Sequence, residues 1–571
     1  MNLNLKAAAQ QTYDAIVIGT GISGGWAMKE LTQKGLKVLA LERGRMVEHV
    51  TDYPTTMLKP WEAPHRGRLS PEVLEANPVV ARCYAFNENT EHFFVKDQDH
   101  PYIQDKPFDW IRGYQVGGKS LLWARWTQRW GEHDFEANAR EGIGVDWPIR
   151  YTDLAPWYSY VEKFAGISGN RDGLPQIPDG EFLPPMELNC VEKHVRDQLK
   201  SKYTDRHLII SRTANLSQAG PQQQAVGRGS CQYRALCERG CPFGGAFSTN
   251  AATLPAARAT GRLTLRPDSV VHSIIFDETK NRATGVRVVD AKTKQMTEYF
   301  AKIIFVNAST VNTNLILQNS TSRRFPNGLG NDSGVLGHYV MAHNYRVSGG
   351  GTVEGFEDQY YFGRRPTGIY IPRYRNFGTD KQTAFLRGYS HSGSGSRAGW
   401  GRGSWVPGFG AELKEALTKP GPWSFYINAM GEMLPYEDNT IKLDKTQKDA
   451  WGMPLVRINV EWKGNEDEMS KDAVVQIQEM LERAGLKNVS ARDNHQNPGL
   501  DIHEMGGCRM GRDPKTSMLN AFNQMHAVKN VFVTDGACMT STACQNPSIT
   551  YMALTARAAN HAVEELKKKN L

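Results

Sequence analysis

Residues 13–44 read YDAIVIGTGISGGWAMKELTQKGLKVLALERG, and their reading decides the fold. Ala15–Ile18 is a short apolar run of the kind that forms a buried parallel strand. Gly19, Gly21 and Gly24 follow at once in G-x-G-x-x-G spacing. The first glycine permits a tight turn, the second lets the backbone approach a pyrophosphate, and the third lets helix and strand pack closely. The pattern then predicts a helix over Trp26–Lys34 and a second strand over Lys37–Leu41, ended by Glu42. A carboxylate about 20 residues beyond the glycines is placed to accept ribose hydroxyl hydrogen bonds. The stretch is therefore a βαβ dinucleotide-binding unit. Its candidate contacts are Gly19, Gly21, Ile22, Ser23 and Gly24, with Glu42 and Arg43 at the end of the second strand. The unit alone does not choose between FAD and NAD.

The rest of the chain sets bounds. Its 571 residues are too many for one core, so two or more domains are expected. Hydrophobic residues make up 40% and charged residues 22%, the composition of an ordinary globular protein. No apolar run reaches the length of about 18 residues that a membrane helix needs. The N-terminal segment lacks a basic region followed by an apolar one, and lacks twin arginines. The chain is thus expected to be cytoplasmic by lack of a signal of its own, or periplasmic by export with a signal-bearing partner subunit. The net charge of +8 comes from scattered lysines and arginines, which argues against nucleic-acid binding.

Two C-terminal stretches carry the chemistry: DIHEMGGCRMG at 501–511 and NVFVTDGACMTSTACQNPSITYMALTARAANHAVEEL at 530–566. With the N-terminal fingerprint they resemble the glucose–methanol–choline (GMC) oxidoreductase family. GGKSLLWARW (117–126), CPFGGAFSTNAATLPAA (241–257), LTLRPDSVVHSIIFD (263–277) and GEMLPYEDNTIKLD (431–444) also look like family landmarks, in family order. The resemblance spans nearly the whole chain. It implies an α/β fold: a Rossmann-like FAD-binding domain built from 1–45, 225–334 and 496–571, and a mixed-sheet α+β substrate domain from 46–224 and 335–495. It implies oxidation of an alcohol by FAD, with His503 and Asn546 facing the flavin. It also assigns Gly117, Gly118, Ser120, Val271, Asp535, Gly536, Asn546 and Pro547 to the cofactor. Leu122 stands where some members carry a flavin-linking histidine, which implies non-covalent FAD.

The residue chemistry agrees with that assignment. Hydride loss from a carbinol carbon is easier when the hydroxyl proton leaves with it, and histidine is the side chain suited to take it. Asn546 does not titrate and can hold the substrate oxygen. Pro547 favours a turn into a following helix, which predicts Asn546 at a strand-to-helix junction. HEMGG begins like a zinc-hydrolase H-E-x-x-H, but position 507 is Gly.

Three of the eight cysteines cluster in CQYRALCERGC, at Cys231, Cys237 and Cys241. Cys237 and Cys241 are spaced to lie one helical turn apart. The trio suits a [3Fe-4S] centre, as in some bacterial members of the resembled family; a thiol-rich turn packed near the flavin, or a disulfide, is the alternative. A cluster would make the protein a dehydrogenase feeding a cytochrome or quinone. The wording of FDWIRGYQVGGKSLLW, EKFAGISG and RGCPFGGAFSTNAATLPAARATG is similar to bacterial glycoside 3-dehydrogenases, which implies a sugar or glycoside substrate and a 3-keto product. Other sugar or alcohol dehydrogenases and oxidases of the family are the alternative. Residues 287–306 alternate like a hairpin feeding another strand. Residues 390–403, SHSGSGSRAGWGRG, read as an active-site lid or a surface loop. Glu432 is placed either at the substrate or in a structural role.

Overall fold

The computed structural model describes residues 8–9, 12–59, 61–360 and 365–571. The N-terminal stretch folds as β1 (Tyr13–Ile18), α1 (Ile22–Gln33) and β2 (Val38–Leu41). Helix α1 begins four residues earlier than the sequence pattern suggests, directly after Gly21. The low helix propensity of Ser23-Gly24-Gly25 is overridden by packing: a Cβ on Gly24 would collide with the Gly19 carbonyl, and one on Gly25 would lie 2.6 Å from the hydroxyls of Thr249 and Thr253.

Strands β3 (Leu263–Arg266), β4 (Ser269–Asp277), β5 (Arg282–Asp290) and β6 (Met296–Val306) follow, then helix α2 (Thr310–Asn319). The 287–306 stretch is indeed a hairpin running on into a parallel strand. The first half of β6 pairs antiparallel with β5, and its second half pairs parallel with β1. Ala15 and Val17 face Ala27, Met28 and Leu31 of α1, while Ile16 and Ile18 face the other side, so the sheet is buried on both faces.

A second, antiparallel sheet lies in the other half of the chain. Its strands include β7 (Val347–Val353), β8 (Ile369–Ile371), β9 (Tyr389–Arg397), β10 (Trp423–Glu432) and β11 (Lys487–Asp493), in the order β11-β7-β10-β9-β8. Ile209–Ile210 extends it beyond β8, and His343–Asn344 pairs with the end of β10. The amphipathic helix Gly464–Arg483 covers one face. Strand β7 is glycine-rich for that reason: a Cβ on Gly349 would lie 2.5 Å from Ile477.

The Gly/Ser-rich stretch is neither lid nor loop at residues 390–397, because they lie inside β9 between β8 and β10. Serines at 390, 392, 394 and 396 alternate with small residues and His391, which is a strand period written in polar residues.

The chain then returns to the first sheet. Strand β12 (Val531–Val533) pairs parallel with β6, completing the parallel order β3-β2-β1-β6-β12, and the C-terminal helix α3 (Ser548–Lys567) packs on α1. The strand order reverses between β1 and β6. A crevice at the carboxyl ends of strands where the order reverses is where such sheets bind ligands. Among the described residues, no helix is long and apolar enough to cross a membrane.

Candidate active site

That crevice opens into a cavity of about 680 Å³. One end is lined by Gly19, Gly21, Ile22 and Ser23 after β1, by Glu42 and Arg43 after β2, and by Asn307 after β6. The other end is lined by His503, Asn546 and the second sheet. The turn is tied together internally. Thr20 donates to Glu42 through both its hydroxyl, at 2.6 Å, and its amide, at 3.1 Å. The amide of Gly117 donates to the Thr20 hydroxyl at 3.0 Å, and Ser120 donates to the Gly117 carbonyl. Burial pushes the Glu42 carboxyl up, opposed by the donors of Thr20 and Gly44. Arg43 lies over the rings of Tyr114 and Trp451 and pairs with Asp449 at 2.8 Å.

Gly118, Ser120, Val271, Asp535, Gly536 and Pro547 also line the cavity. Gly24 and Gly117 lie behind its wall. The first packs α1 on the turn; the second leaves room for Asn250, with φ at +94°. Ser23 spends its hydroxyl on the Thr534 carbonyl, and the Asp535 carboxylate takes donors from Thr313 and Ala537. Burial raises Asp535 to about 6.

These residues fit FAD. No side chain caps the N-terminus of α1, so its free N–H groups face the cavity beside Gly21, where a Cβ would meet nothing within 4 Å. The lining also holds buried polar atoms without protein partners: Arg43 Nε, Asn307 Nδ2, Asp501 Oδ1, Glu504 Oε1, Asn546 Oδ1 and Tyr551 Oη. Buried polar atoms left bare are costly, so a polar ligand running the length of the cavity is the simplest account of them.

His503 Nε2 lies 3.3 Å from Asn546 Nδ2. The Asp501 carboxylate accepts the backbone N–H of His503, at 3.2 Å, and of His343, at 2.9 Å. Burial, reinforced by His343 and the Lys119 ammonium nearby, holds the His503 imidazole well below its usual range, so it is neutral near pH 7. Burial raises Asp501 to about 7. Ile502 is held at φ +66°, a conformation uncommon for a β-branched residue and one that collects at functional sites. Lys119 and Glu504 form an ion pair at 2.9 Å in the same wall.

Asn546 sits just before α3, but the residues ahead of it form an irregular loop rather than the expected strand. The second sheet holds that loop. Tyr370 and Ser390 donate to the Cys544 carbonyl at 3.2 and 2.6 Å, and Gln545 donates to Asp134 at 3.0 Å.

The even-numbered face of β10 turns Tyr426, Asn428 and Met430 into the cavity, with Ser392 of β9 and Tyr345 beside them. Trp123, Trp126 and Tyr84 line it too. Glu432 is absent from the lining. It is 1% exposed and bound to Arg373 and Arg387, a structural charge network. Sequence reasoning missed Asn307, His343, Tyr345, Ser392, Tyr426, Asn428 and Asp501. Apart from the alternating serines of β9, only the place of Asp501 two residues before His503 gave a signal.

Cys231, Cys237 and Cys241 are free thiols outside the cavity wall. Cys237 starts a single 3₁₀ turn that Gly240 ends at φ +83°, so Cys241 lies beyond it and the one-turn helical spacing does not hold. Asn215 donates to Cys237 Sγ at 3.6 Å and the Tyr233 amide to Cys231 Sγ at 3.4 Å. Burial pushes the Cys237 thiol up to about 12, opposed by Arg125 and reinforced by Glu238, Cys241 and Cys231. Arg125, which lines the cavity, donates to the Cys237 carbonyl at 3.2 Å.

Comparison with known proteins agrees with this geometry. Two GMC oxidoreductase family models match, over residues 13–343 and 435–555. A 2-methyl-1,2-propanediol dehydrogenase of Mycolicibacterium austroafricanum is 28% identical, covering 98% of this chain and 96% of its own. A fructose dehydrogenase large subunit of Gluconobacter japonicus is 26% identical, covering 97% and 98%. A pyridoxine 4-oxidase structure from Mesorbium loti shares the fold, with a TM-score of 0.57 at 14% identity over 96% and 98% of the two chains. The two matched ranges together hold β1 to β6 and β12 of the first sheet, His503 and Asn546, and this chain belongs to the GMC oxidoreductases, FAD-binding enzymes that act on the CH–OH group of alcohols and sugars.

Proposed function

We propose that this protein oxidises a secondary hydroxyl of a sugar, the C3 hydroxyl of a glucoside, to the ketone with non-covalently bound FAD. The observation that carries this reading is one cavity joining an uncapped, glycine-lined helix N-terminus to a His503–Asn546 pair 3.3 Å apart. FAD supplies the acceptor for the hydride. Gly19, Gly21 and the start of α1 hold its phosphates, and Glu42 and Asp535 its hydroxyls. His503 Nε2 takes the hydroxyl proton, and Asn546 Nδ2 donates to the same oxygen. Leu122 is aliphatic and offers no atom for a flavin bond.

The substrate wall supports an uncharged polyol. Ser392, Asn428, Tyr345 and Tyr426 present hydroxyls and an amide, and Trp123 and Trp126 add aromatic surface suited to a sugar face. The C3 position rests on the sequence resemblance. Electrons leave to a cytochrome or quinone. Cys231, Cys237 and Cys241 are the proposed ligands of a [3Fe-4S] centre, a reading that rests on the sequence resemblance. Iron and sulfide analysis of protein prepared without oxygen tests that part. A signal-bearing small subunit and use in the periplasm complete the proposal. The relative named as a large subunit supports such a partner.

The test is anaerobic reduction of the flavin by methyl glucosides, with the product's carbonyl carbon located by NMR. The expected product is the 3-keto sugar; reduction by free glucose alone, giving a lactone while methyl glucosides leave the flavin oxidised, would return the protein to the glucose 1-dehydrogenases. His503→Ala should slow reduction by about 10²–10⁴-fold with flavin content unchanged. An unaltered rate would remove His503 as the base.

A further inference from the structure

The geometry points to His343 as a positioning residue that fixes which ring nitrogen of His503 carries its proton. This inference rests on the reading of His503 as the base. His343 Nε2 lies 3.1 Å from the Thr542 carbonyl oxygen and 3.0 Å from that of Ala543. Carbonyl oxygens only accept, so Nε2 holds a proton. His343 is fully buried, and burial pushes its imidazole down to about 4. It is neutral, so its Nδ1 carries no proton and accepts. That Nδ1 lies 2.9 Å from Nδ1 of His503, in a perpendicular edge-on arrangement of the rings. A contact this short between two nitrogens needs one proton, and only His503 can supply it.

His503 is therefore the Nδ1–H tautomer. Its Nε2 is left with a lone pair, facing the donating amide of Asn546 and the cavity. Asp501 Oδ2, 3.8 Å from His503 Nδ1, favours the same tautomer. A histidine protonated on Nε2 would offer a substrate hydroxyl no base. The chain is built to hold His343 in place. Its backbone N–H donates to Asp501, it pairs with Glu432 at the end of β10, and its carbonyl acceptors belong to the loop that carries Asn546. One imidazole thus sets the proton acceptor and joins it to the segment that presents the oxygen-binding amide.

The experiment uses ¹⁵N-histidine-labelled holoenzyme and two variants. The His503 signals are assigned by their loss in His503→Ala. In the wild type, His503 should show a protonated Nδ1 and a bare Nε2. His343→Gln keeps an acceptor and a donor, so it should retain that pattern and reduce flavin within about ten-fold of the wild-type rate. His343→Phe keeps the bulk and loses the acceptor. It should show mixed tautomers and lose about 10²-fold or more in flavin reduction. A wild-type His503 protonated on Nε2 would overturn the inference, as would a His343→Phe enzyme with bound flavin and an unchanged rate. If the Phe variant fails to fold, the wild-type spectrum still decides. The spectrum reads the tautomer without turnover, so an active His503→Ala enzyme would remove the base reading and leave the tautomer result standing.

Discussion

At the residue scale the site works by keeping titratable groups out of water. His503 is surrounded by His343, Asp501, Lys119 and Glu504, and burial, reinforced by His343 and Lys119, holds it neutral. The group beside His503 that titrates near neutrality is Asp501, raised to about 7 by burial. Below that pH its carboxyl is protonated. Above it a carboxylate stands 3.8 Å from His503 Nδ1 and favours the imidazolium that forms when the hydroxyl proton is taken. Flavin reduction should therefore quicken as pH rises through about 7. In Asp501→Asn, which keeps an oxygen for the backbone N–H groups, that step should vanish from the pH–rate profile. A profile identical to wild type would show that Asp501 is not the titrating group. His503 itself was legible because the HEMGGC motif surrounds it. His343 was not, because nothing in MAHN distinguishes a buried partner of His503 from any other polar residue.

At the element scale, β9 is the instructive case. Its glycines and serines have low strand propensity and resemble a flexible loop. Yet Ser392 pairs with Asn428 across the ladder, and Gly393, which lies against the Tyr426 carbonyl, admits no Cβ. Small residues are required because strands and the loop bearing Cys544 press on both sides. Ser392→Val fills the cavity face of this strand without touching the flavin end. It should raise the KM for sugars by about ten-fold or more while leaving flavin content and fluorescence unchanged. An equal loss for sugars and for small monohydric alcohols would argue against Ser392 as a sugar contact. The βαβ unit is the opposite case. Its glycine spacing is local and its strand is continuously apolar, so it was readable to within a few residues, and only the start of α1 was displaced by packing.

At the scale of the whole molecule, the His503–Asn546 pair depends on segments far apart in the chain. Asp134, Asn138 and Glu141 meet Arg373, Arg387 and Glu432 in a buried network under the Asn546 loop. Removing one partner of a buried pair leaves the other charge uncompensated, so Glu432→Gln should lower stability by about 3 kcal/mol in denaturant unfolding. The rate per bound flavin should stay within a few-fold of wild type. A variant with full stability and a changed substrate preference would restore Glu432 to the substrate. By itself the sequence determined the dinucleotide unit, the family and the flavin chemistry, because the glycine spacing and the motifs are local; it offered His503 and Asn546 only as what the family resemblance implies. Tertiary structure alone decided the polar sheet wall, the burial that keeps His503 neutral and the contact from His343. Desolvation and hydrogen bonding depend on which groups meet from positions 160 residues apart, and no local pattern records that meeting.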